Sequence, residues 1–526
     1  EGWQDIRLGR ALGEPLVRSI FFDSRGMGWL GTKEGVLQFR KPDWEDLTHT
    51  DRLVWSEGHA FYADPDQPPI AVNGDFQIVL FENEQWNVLG TLPAGTGHQD
   101  ITAPRAGNVW ILAGLAVYQF SLGERRIVQA VPVPEKLRAR WLFQTSNGDL
   151  YVHGLGGIRR LTDGQWVSCS PKGEPEDCSV TAMAELPDGG LVVSVAQANN
   201  VLGRDLCIWR NDTSTRLLQQ DDLNRAHYIG CVGASRDGRI WMGTIGSGVW
   251  VFDRQQEQNY RIEQGIQSGR IVCFLEATDG TMWFGAENLG VSSLLDDRWA
   301  NFSHDDGLPS LAAVRICEYP KGTIWVATRA YGVYRHVPDR EAPRTIINAY
   351  PESIPYRGSG IFSIAGYDAW NQTRPDELAF SWRVVPQGHE NSPVPWSPFS
   401  PVSTVATPHL AAGSYVFEAR ASDADRNVDP EPTRVAFEVL GPFYLRPAFY
   451  VPLAALLLVA LGLTVVLAMR GKALRHSKAQ VSRLALAVEQ AAEIIVVTDP
   501  EGRIEYVNPA FEHTTGYARE EAMGQK

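Results

Sequence analysis

The chain is poor in cysteine and in positive charge, and it lacks every compact catalytic motif. Six cysteines are spread over 526 residues. They are too few and too scattered for a disulfide scaffold, and no spacing resembles a zinc site. Lys and Arg number 48 against 62 Asp and Glu, a net charge of −14, which argues against a nucleic-acid partner. No Gly-x-Ser-x-Gly elbow, Walker loop or His-Glu-x-x-His occurs. Nor is there a phospho-acceptor histidine box, an ATP-binding glycine box or a GGDEF-like segment. The eleven histidines are scattered. No catalytic residue, metal ligand or cofactor is assigned, and the ligand-binding residues are left unassigned.

One absence is local. From Pro447 to Met469, 23 residues carry no charge. At ~1.5 Å per helical residue this run reaches roughly 34 Å, enough to cross a bilayer core of ~30 Å. Arg470, Lys472, Arg475, Lys478 and Arg483 follow, with no acidic residue from 470 to 483. Before the run, 428–446 holds Arg434 and Arg446 against Asp429, Glu431 and Glu438. Positive charge stays cytoplasmic, so residues 470–526 are expected inside and residues 1–446 on the other side of the membrane. Phe443, Tyr444, Phe449 and Tyr450 would sit at the outer interface. The chain opens Glu1-Gly2-Trp3 without a basic region leading into an apolar stretch, so export calls for a signal ahead of it.

What is present is a repeat. The clearest copies are DGRIWMGTIGSGVWVF (237–252), DGTMWFGAENLGVSSL (279–294), KGTIWVATRAYGVYRH (321–336) and SRGMGWLGTKEGVLQF (24–39). With the aromatic of each copy as phase mark, and drifted copies included, the marks fall at 29, 70, 110, 151, 192, 241, 283 and 325. A second aromatic recurs 15 or 16 residues on, at Trp44, Trp86, Trp166 and Trp299. A period near 42 with glycine turns and short strands predicts a β-propeller with one four-stranded blade per repeat over 1–340. The repeated Trp is read as blade-to-blade packing. Eight blades are favoured, with Gly2–Leu8 closing the ring; seven, with the first copy outside it, is the alternative. The step from Val192 to Trp241 is 49 residues, and its insertion near 198–204 is a candidate rim for a ligand.

Residues 341–443 change character to alternating strands such as 360–365, 378–384, 414–421 and 433–439, which predicts an immunoglobulin-like sandwich. Asp423, Asp425, Asn427 and Asp429 alternate like the start of a calcium loop. Val428 stands where glycine is needed and Arg434 where the bidentate Glu belongs. A turn between strands explains them equally well. Cys169 and Cys178 bracket a Pro/Gly/Glu-rich loop, and in an oxidising compartment the pair could close a ring worth roughly 2–3 kcal/mol. Cys207, Cys231, Cys273 and Cys317 lie in apolar strand patterns and read as small buried residues.

After the basic flank, Leu474, Val481 and Val488 recur every seven residues, with Leu484 and Ala491 in the other seam position. A helical linker over 470–490 is predicted, as a two-stranded coiled coil between two copies or as an amphipathic helix packed on the next domain. Residues 491–526 then read as a strand, an Asp499–Gly502 turn, a second strand and short helices from Asn508 or Pro509.

Three resemblances join these pieces. The repeats resemble the two-component regulator propeller repeats of bacterial membrane sensors, D-x-x-G-x-hydrophobic-W-hydrophobic-G-T-x-x-G-hydrophobic, and Asp305–Pro309 resembles that family's "DGLP" entry. The sandwich resembles the Y_Y_Y domain through WSPFS (396–400), L-x-x-G-x-Y-x-F (410–417) and A-x-A-S-D (419–423). Asp499, Gly502, Asn508, Ala510, Phe511, Gly516 and Tyr517 match the start of a PAS domain. That match stops at Lys526, so the segment is expected to be incomplete and marginally stable alone. Together the resemblances imply the sensory part of a single-pass receptor of the bacterial inner membrane. The chain would be a homodimer whose missing output is a histidine kinase or, alternatively, a diguanylate cyclase. The periplasmic ligand is unidentified; related sensors answer to oligosaccharides, though no residue here selects sugar. A membrane-tethered propeller enzyme or adhesion module is the reading from another class.

Overall fold

The computed structural model describes residues 17–22, 28–32, 35–38, 43–47, 60–93, 99–170, 175–196, 205–210, 213–218, 228–252, 257–260, 265–303, 306–308, 312–329, 332–336, 338–368, 372–388 and 394–526. The chain divides into two compact units. One holds 1–350, 361–406 and 416–435, the other 351–360, 407–415 and 436–526.

In the first unit, seven antiparallel four-stranded sheets follow one another: 61–91, 99–132, 139–168, 179–218, 228–260, 271–302 and 313–336, taken as blades one to seven. Blade seven has only three strands of its own. Its fourth is Trp44–Asp46, paired antiparallel with Gly332–His336 in the register Tyr334 to Asp46, Arg335 to Glu45 and His336 to Trp44. Strand Ala313–Glu318 of blade seven contacts Phe61–Asp64 of blade one, and the ring closes. The propeller is therefore seven-bladed, not eight. Gly2–Leu8, expected to close it, lies outside the described residues, and the place it was to fill is occupied. Trp44 looks by spacing like the outer strand of the first copy, but it is the outer strand of the last blade. The first copy forms a separate three-stranded sheet, Val17–Phe22, Gly28–Thr32 and Gly35–Gln38, with Ile20, Phe21 and Phe22 exposed.

A single blade cannot bury both faces of its sheet, so the core lies between blades. It consists of seven apolar clusters, one at each joint. The closing joint packs Leu47, Phe61, Phe81, Trp86, Cys317, Trp325 and Val333 together. Over it, Arg335 pairs with Glu45 of the closing strand at 2.7 Å and with Glu84 of blade one at 2.8 Å. Side chains at the phase-mark positions (Trp241, Trp283, Trp325) are buried in these clusters, as the packing reading expects. Gly233 shows how tight a joint is: a Cβ there would fall 1.4 Å from the ring of Phe274 in the next blade.

A carboxylate clasp recurs at the end of the innermost strand. Glu185 accepts from Ser146 N at 2.5 Å and Ser146 Oγ at 2.7 Å in the preceding blade. Glu276 accepts from Arg236 N at 2.7 Å. Glu318 accepts from Thr278 N and Thr278 Oγ1, both at 2.7 Å, and from Gly322 N at 2.7 Å. In each case the acceptor stands seven residues before its phase mark and the donor five before its own. Further in, Asp100 of blade two accepts from Leu142 N of blade three at 2.8 Å and from Arg315 of blade seven at 2.5 Å, tying three blades at one carboxylate.

Two sheets follow the propeller, as the sandwich prediction requires. One has the order Arg344–Ala349, Ile361–Tyr367, Thr404–Ala406; the other has the order Ser353–Ile354, Thr433–Val439, Gly413–Ser422, Ala379–Pro386. Phe362 and Phe417 stack at 4.1 Å in the core of the sandwich.

The second unit carries one helix, Pro447–Glu489, long and apolar enough to cross a membrane and with no residue buried. Pro447 starts it, where a missing N–H costs nothing. The helix runs unbroken through the basic flank into the predicted linker. Beyond it lie the hairpin Val496–Thr498 with Ile504–Val507 and helices Pro509–Thr515 and Arg519–Ala522. The helix end and the hairpin are bound together. Glu489 accepts from Tyr506 Oη at 2.8 Å and pairs with Arg519 at 3.1 Å. Buried Asn508 donates to the carbonyls of Val488, Ala491 and Glu493 and accepts from Ile495 N.

Candidate functional site: the joint between propeller and sandwich

The last two blades meet the sandwich through groups that must be desolvated, and the sandwich turn 422–429 supplies most of them. Arg298, in the outer strand of blade six, donates to Ser422 Oγ at 3.0 Å and to the Asp423 carbonyl at 3.2 Å. Arg426 reaches back to Thr281 Oγ1 in blade six at 3.1 Å. Asn427 donates to the Asp339 carbonyl at 3.0 Å. His336, the last residue of blade seven, is fully buried, with Nε2 at 2.9 Å from Asp425 Oδ1 and Nδ1 at 2.8 Å from the Asp43 carbonyl. The second oxygen of Asp425 accepts from Asp339 N at 2.6 Å.

Burial sets the charge states here. It lowers both Arg298 and Arg426, the former also through its neighbour Arg426. It pushes Asp423 up to about 7 against the hydrogen bonds from Asn427, helped by the charges of Asp368 and Asp425. The carboxylates of Asp339, Asp368 and Asp423 converge, with ligand atoms within 4.8 Å of one another. The four residues that alternate in sequence do not converge. Asp429 turns away to Thr345, whose N and Oγ1 it accepts at 2.8 and 2.6 Å. Asp425 turns to His336, and Asp423 and Asn427 bond each other at 2.8 Å. This is a turn whose side chains stitch the propeller to the sandwich.

A second feature starts from the same arginine. The ring of Phe399 lies 4.9 Å from the Arg298 guanidinium and 5.3 Å from that of Arg420. Trp396 lies 4.2 Å from Arg420 and 4.6 Å from Arg383. Arg383 and Arg434 then share the fully buried Glu418 at 2.6 and 2.8 Å. The two aromatics of WSPFS thus interleave three arginines into a cation–π ladder from blade six into the sandwich sheet. The motif is visible in sequence; the arginine partners of Phe399, 101 residues before it and 21 after it, are not.

Other sequence candidates fall elsewhere. Cys169 and Cys178 belong to one apolar cluster at the joint of blades three and four. Cys231, Cys273 and Cys317 are buried, and burial raises all three thiols. The insertion at 198–204 lies outside the described residues. A cavity of about 270 Å³ opens between blades four and five, lined by Leu186, Pro187, Ile208, Leu217, Ile240 and Phe252.

Residues 482–526 match the family model of the PAS fold. No curated protein matches the sequence. Among solved structures, the extracellular domain of a hybrid two-component system from B. thetaiotaomicron is similar over 83% of this chain and 64% of its own, at 16% identity and a TM-score of 0.54. A second such domain from the same organism covers 84% and 65%, at 15% identity and a TM-score of 0.43. The chain thus spans under two thirds of the length of these extracellular domains. In fold the propeller and sandwich are similar to the first of these extracellular domains, and they are followed by one helix able to span a membrane and a segment that matches the PAS fold.

Proposed function

We propose that the chain is the sensory part of a single-pass signalling receptor, with propeller and sandwich in the periplasm and the PAS segment in the cytoplasm. The observation that carries this is the single helix Pro447–Glu489. It is apolar to Met469, basic from Arg470, and bound at Glu489 to Tyr506 and Arg519 of the PAS segment. An anchor needs no such bond at its inner end; a transmitting rod does. The basic flank supports a cytoplasmic C-terminal side in the bacterial inner membrane.

The partner of the helix is a second copy of the chain. Leu474, Val481 and Leu484 lie on its coiled-coil seam and are each 60–63% exposed. A periplasmic ligand, an oligosaccharide by resemblance, would favour one placement of the two sandwiches, and the paired helices would pass that bias to the PAS modules. The output is read as a histidine kinase, by analogy with the hybrid two-component system of similar fold.

Insertion of one alanine after Leu474 in the full receptor tests the rod. It turns everything downstream by roughly 100°. Ligand-dependent output should be lost or locked, and a seven-residue insertion should restore it. Unchanged signalling in the one-residue variant would sink the proposal. Orientation is checked separately: alkaline phosphatase fused after Leu440 should be active and after Ser482 inactive.

A further inference from the structure

His336 stands where three parts of the first unit meet: the last strand of blade seven, the ring-closing strand and the sandwich turn. Both ring nitrogens face atoms that accept hydrogen bonds, the Asp43 carbonyl at 2.8 Å and the Asp425 carboxylate at 2.9 Å. A neutral imidazole has a single N–H. It could satisfy one of these oxygens, and the other would face a lone pair at hydrogen-bond distance. The pair His336–Asp425 therefore holds one proton more than a neutral ring beside a carboxylate.

We propose that His336 is a proton-dependent latch that joins closure of the propeller ring to the sandwich, locked in the structure described here and released when the pair loses that proton.

The surroundings give the latch its direction. Trp44, Phe302 and Trp283 pack around the ring at 5.0, 5.1 and 5.8 Å and offer no charge. The charged groups come from Asp43 before the closing strand and from Asp425 on the sandwich turn, with Asp339, Asp423 and Arg426 around the latter. Burial alone would lower the histidine; the charge and hydrogen bond of Asp425, with those of Asp43, outweigh it and raise it. A raised histidine contributes stability that is complete below its unfolded value of about 6.5 and is lost as pH climbs through the folded value. After deprotonation the remaining N–H stays on the carboxylate, the stronger acceptor. The hydrogen bond from His336 to the Asp43 carbonyl is then lost, so opening begins at Trp44–Asp46, the strand that closes the ring.

His153 is the internal control. It is also buried, but among the described residues only its Nδ1 has a hydrogen-bond partner, the Val180 carbonyl at 2.9 Å, and burial pushes it down to about 4. It is neutral throughout the range in which His336 titrates.

Hydrogen exchange of the full chain in detergent, corrected for intrinsic rates, tests the latch between pH 6 and 9. Peptides over 43–47 and 332–336 should lose protection tenfold or more as pH rises, while 191–196 of blade four stays protected. His336→Gln should abolish that pH dependence, and His153→Gln should leave it intact. Should His336→Gln fail to fold, Asp425→Asn serves: without the carboxylate the transition should move down by at least one pH unit. Flat wild-type protection, a transition that survives His336→Gln, or an unmoved midpoint in Asp425→Asn would each overturn the proposal.

Discussion

Two kinds of joint hold the propeller together. Where the innermost strand ends in Glu185, Glu276 or Glu318, the preceding blade offers a backbone N–H at Ser146, Arg236 or Thr278. At three other joints the acceptor position holds Ala63, Ala103 or Ala234, and the donor position holds Pro320, Pro65 or Pro187. Proline has no N–H to give. The carboxylate is absent where it would have nothing to accept, so neither kind of joint strands a polar group. The remaining joint pairs Gln144 with Arg105, whose guanidinium donates instead to the Ser146 carbonyl at 2.9 Å. A clasped joint resists separation through these hydrogen bonds; a Pro–Ala joint lacks them and relies mainly on apolar contact. The cavity between blades four and five opens at one of the unclasped joints, beside Pro187.

Breaking a buried clasp should show this difference most strongly. Glu318 is 2% exposed and satisfies three donors, so Glu318→Ala should lower stability by about 2–3 kcal/mol in urea unfolding. Glu185 is partly exposed and water can replace it; Glu185→Ala should cost about 1 kcal/mol in the same assay. The contrast is sharpened by building a clasp where none exists. Ala234→Glu alone should bring no gain, since Pro187 offers no donor. Pro187→Ser combined with Ala234→Glu should be more stable than the sum of the two single changes by about 0.5–1 kcal/mol in a double-mutant cycle. The smallest effect belongs to the exposed pair Arg210–Asp188 at that joint. Arg210→Ala should shift stability by less than about 0.5 kcal/mol, and a larger loss would mean that rim charges help hold the unclasped joint.

Much of this architecture is legible in the chain because a repeat prints its own phase. The marks at Trp241, Trp283 and Trp325 place second strands, glycine turns and joint clusters, and the clasp positions could be read at fixed offsets from them. The blade count is not legible in the same way. Trp44 follows Trp29 at the distance that Trp299 follows Trp283 (15 and 16 residues), yet Trp299 joins its own blade and Trp44 joins the last one. Spacing measures position along the chain, whereas closure depends on which edge a strand meets in space. The sandwich joint is hidden for a related reason: His336 and Asp425 are 89 residues apart, and no period links them. The alternation at 423–429 marks a polar turn but not where its side chains go, since each leaves for a different partner. Asn508 is visible only as part of a PAS pattern; its bonds to the end of the long helix give it a physical task there.

The pairing of Trp44–Asp46 with Gly332–His336 also sets a clock. Some 290 residues separate the partners. A ribosome adding ~5–20 residues per second needs roughly 15–60 s to cover that distance. Throughout that interval six blades can form while the ring remains an open arc, with the joint face of blade one uncovered and Trp44–Asp46 unpaired. Trp44–Asp46 must stay unpaired and unaggregated until the last blade arrives. The stage at which this protein is most exposed to misassembly is thus the wait for a partner strand made roughly 15–60 s later, rather than the folding of any single blade.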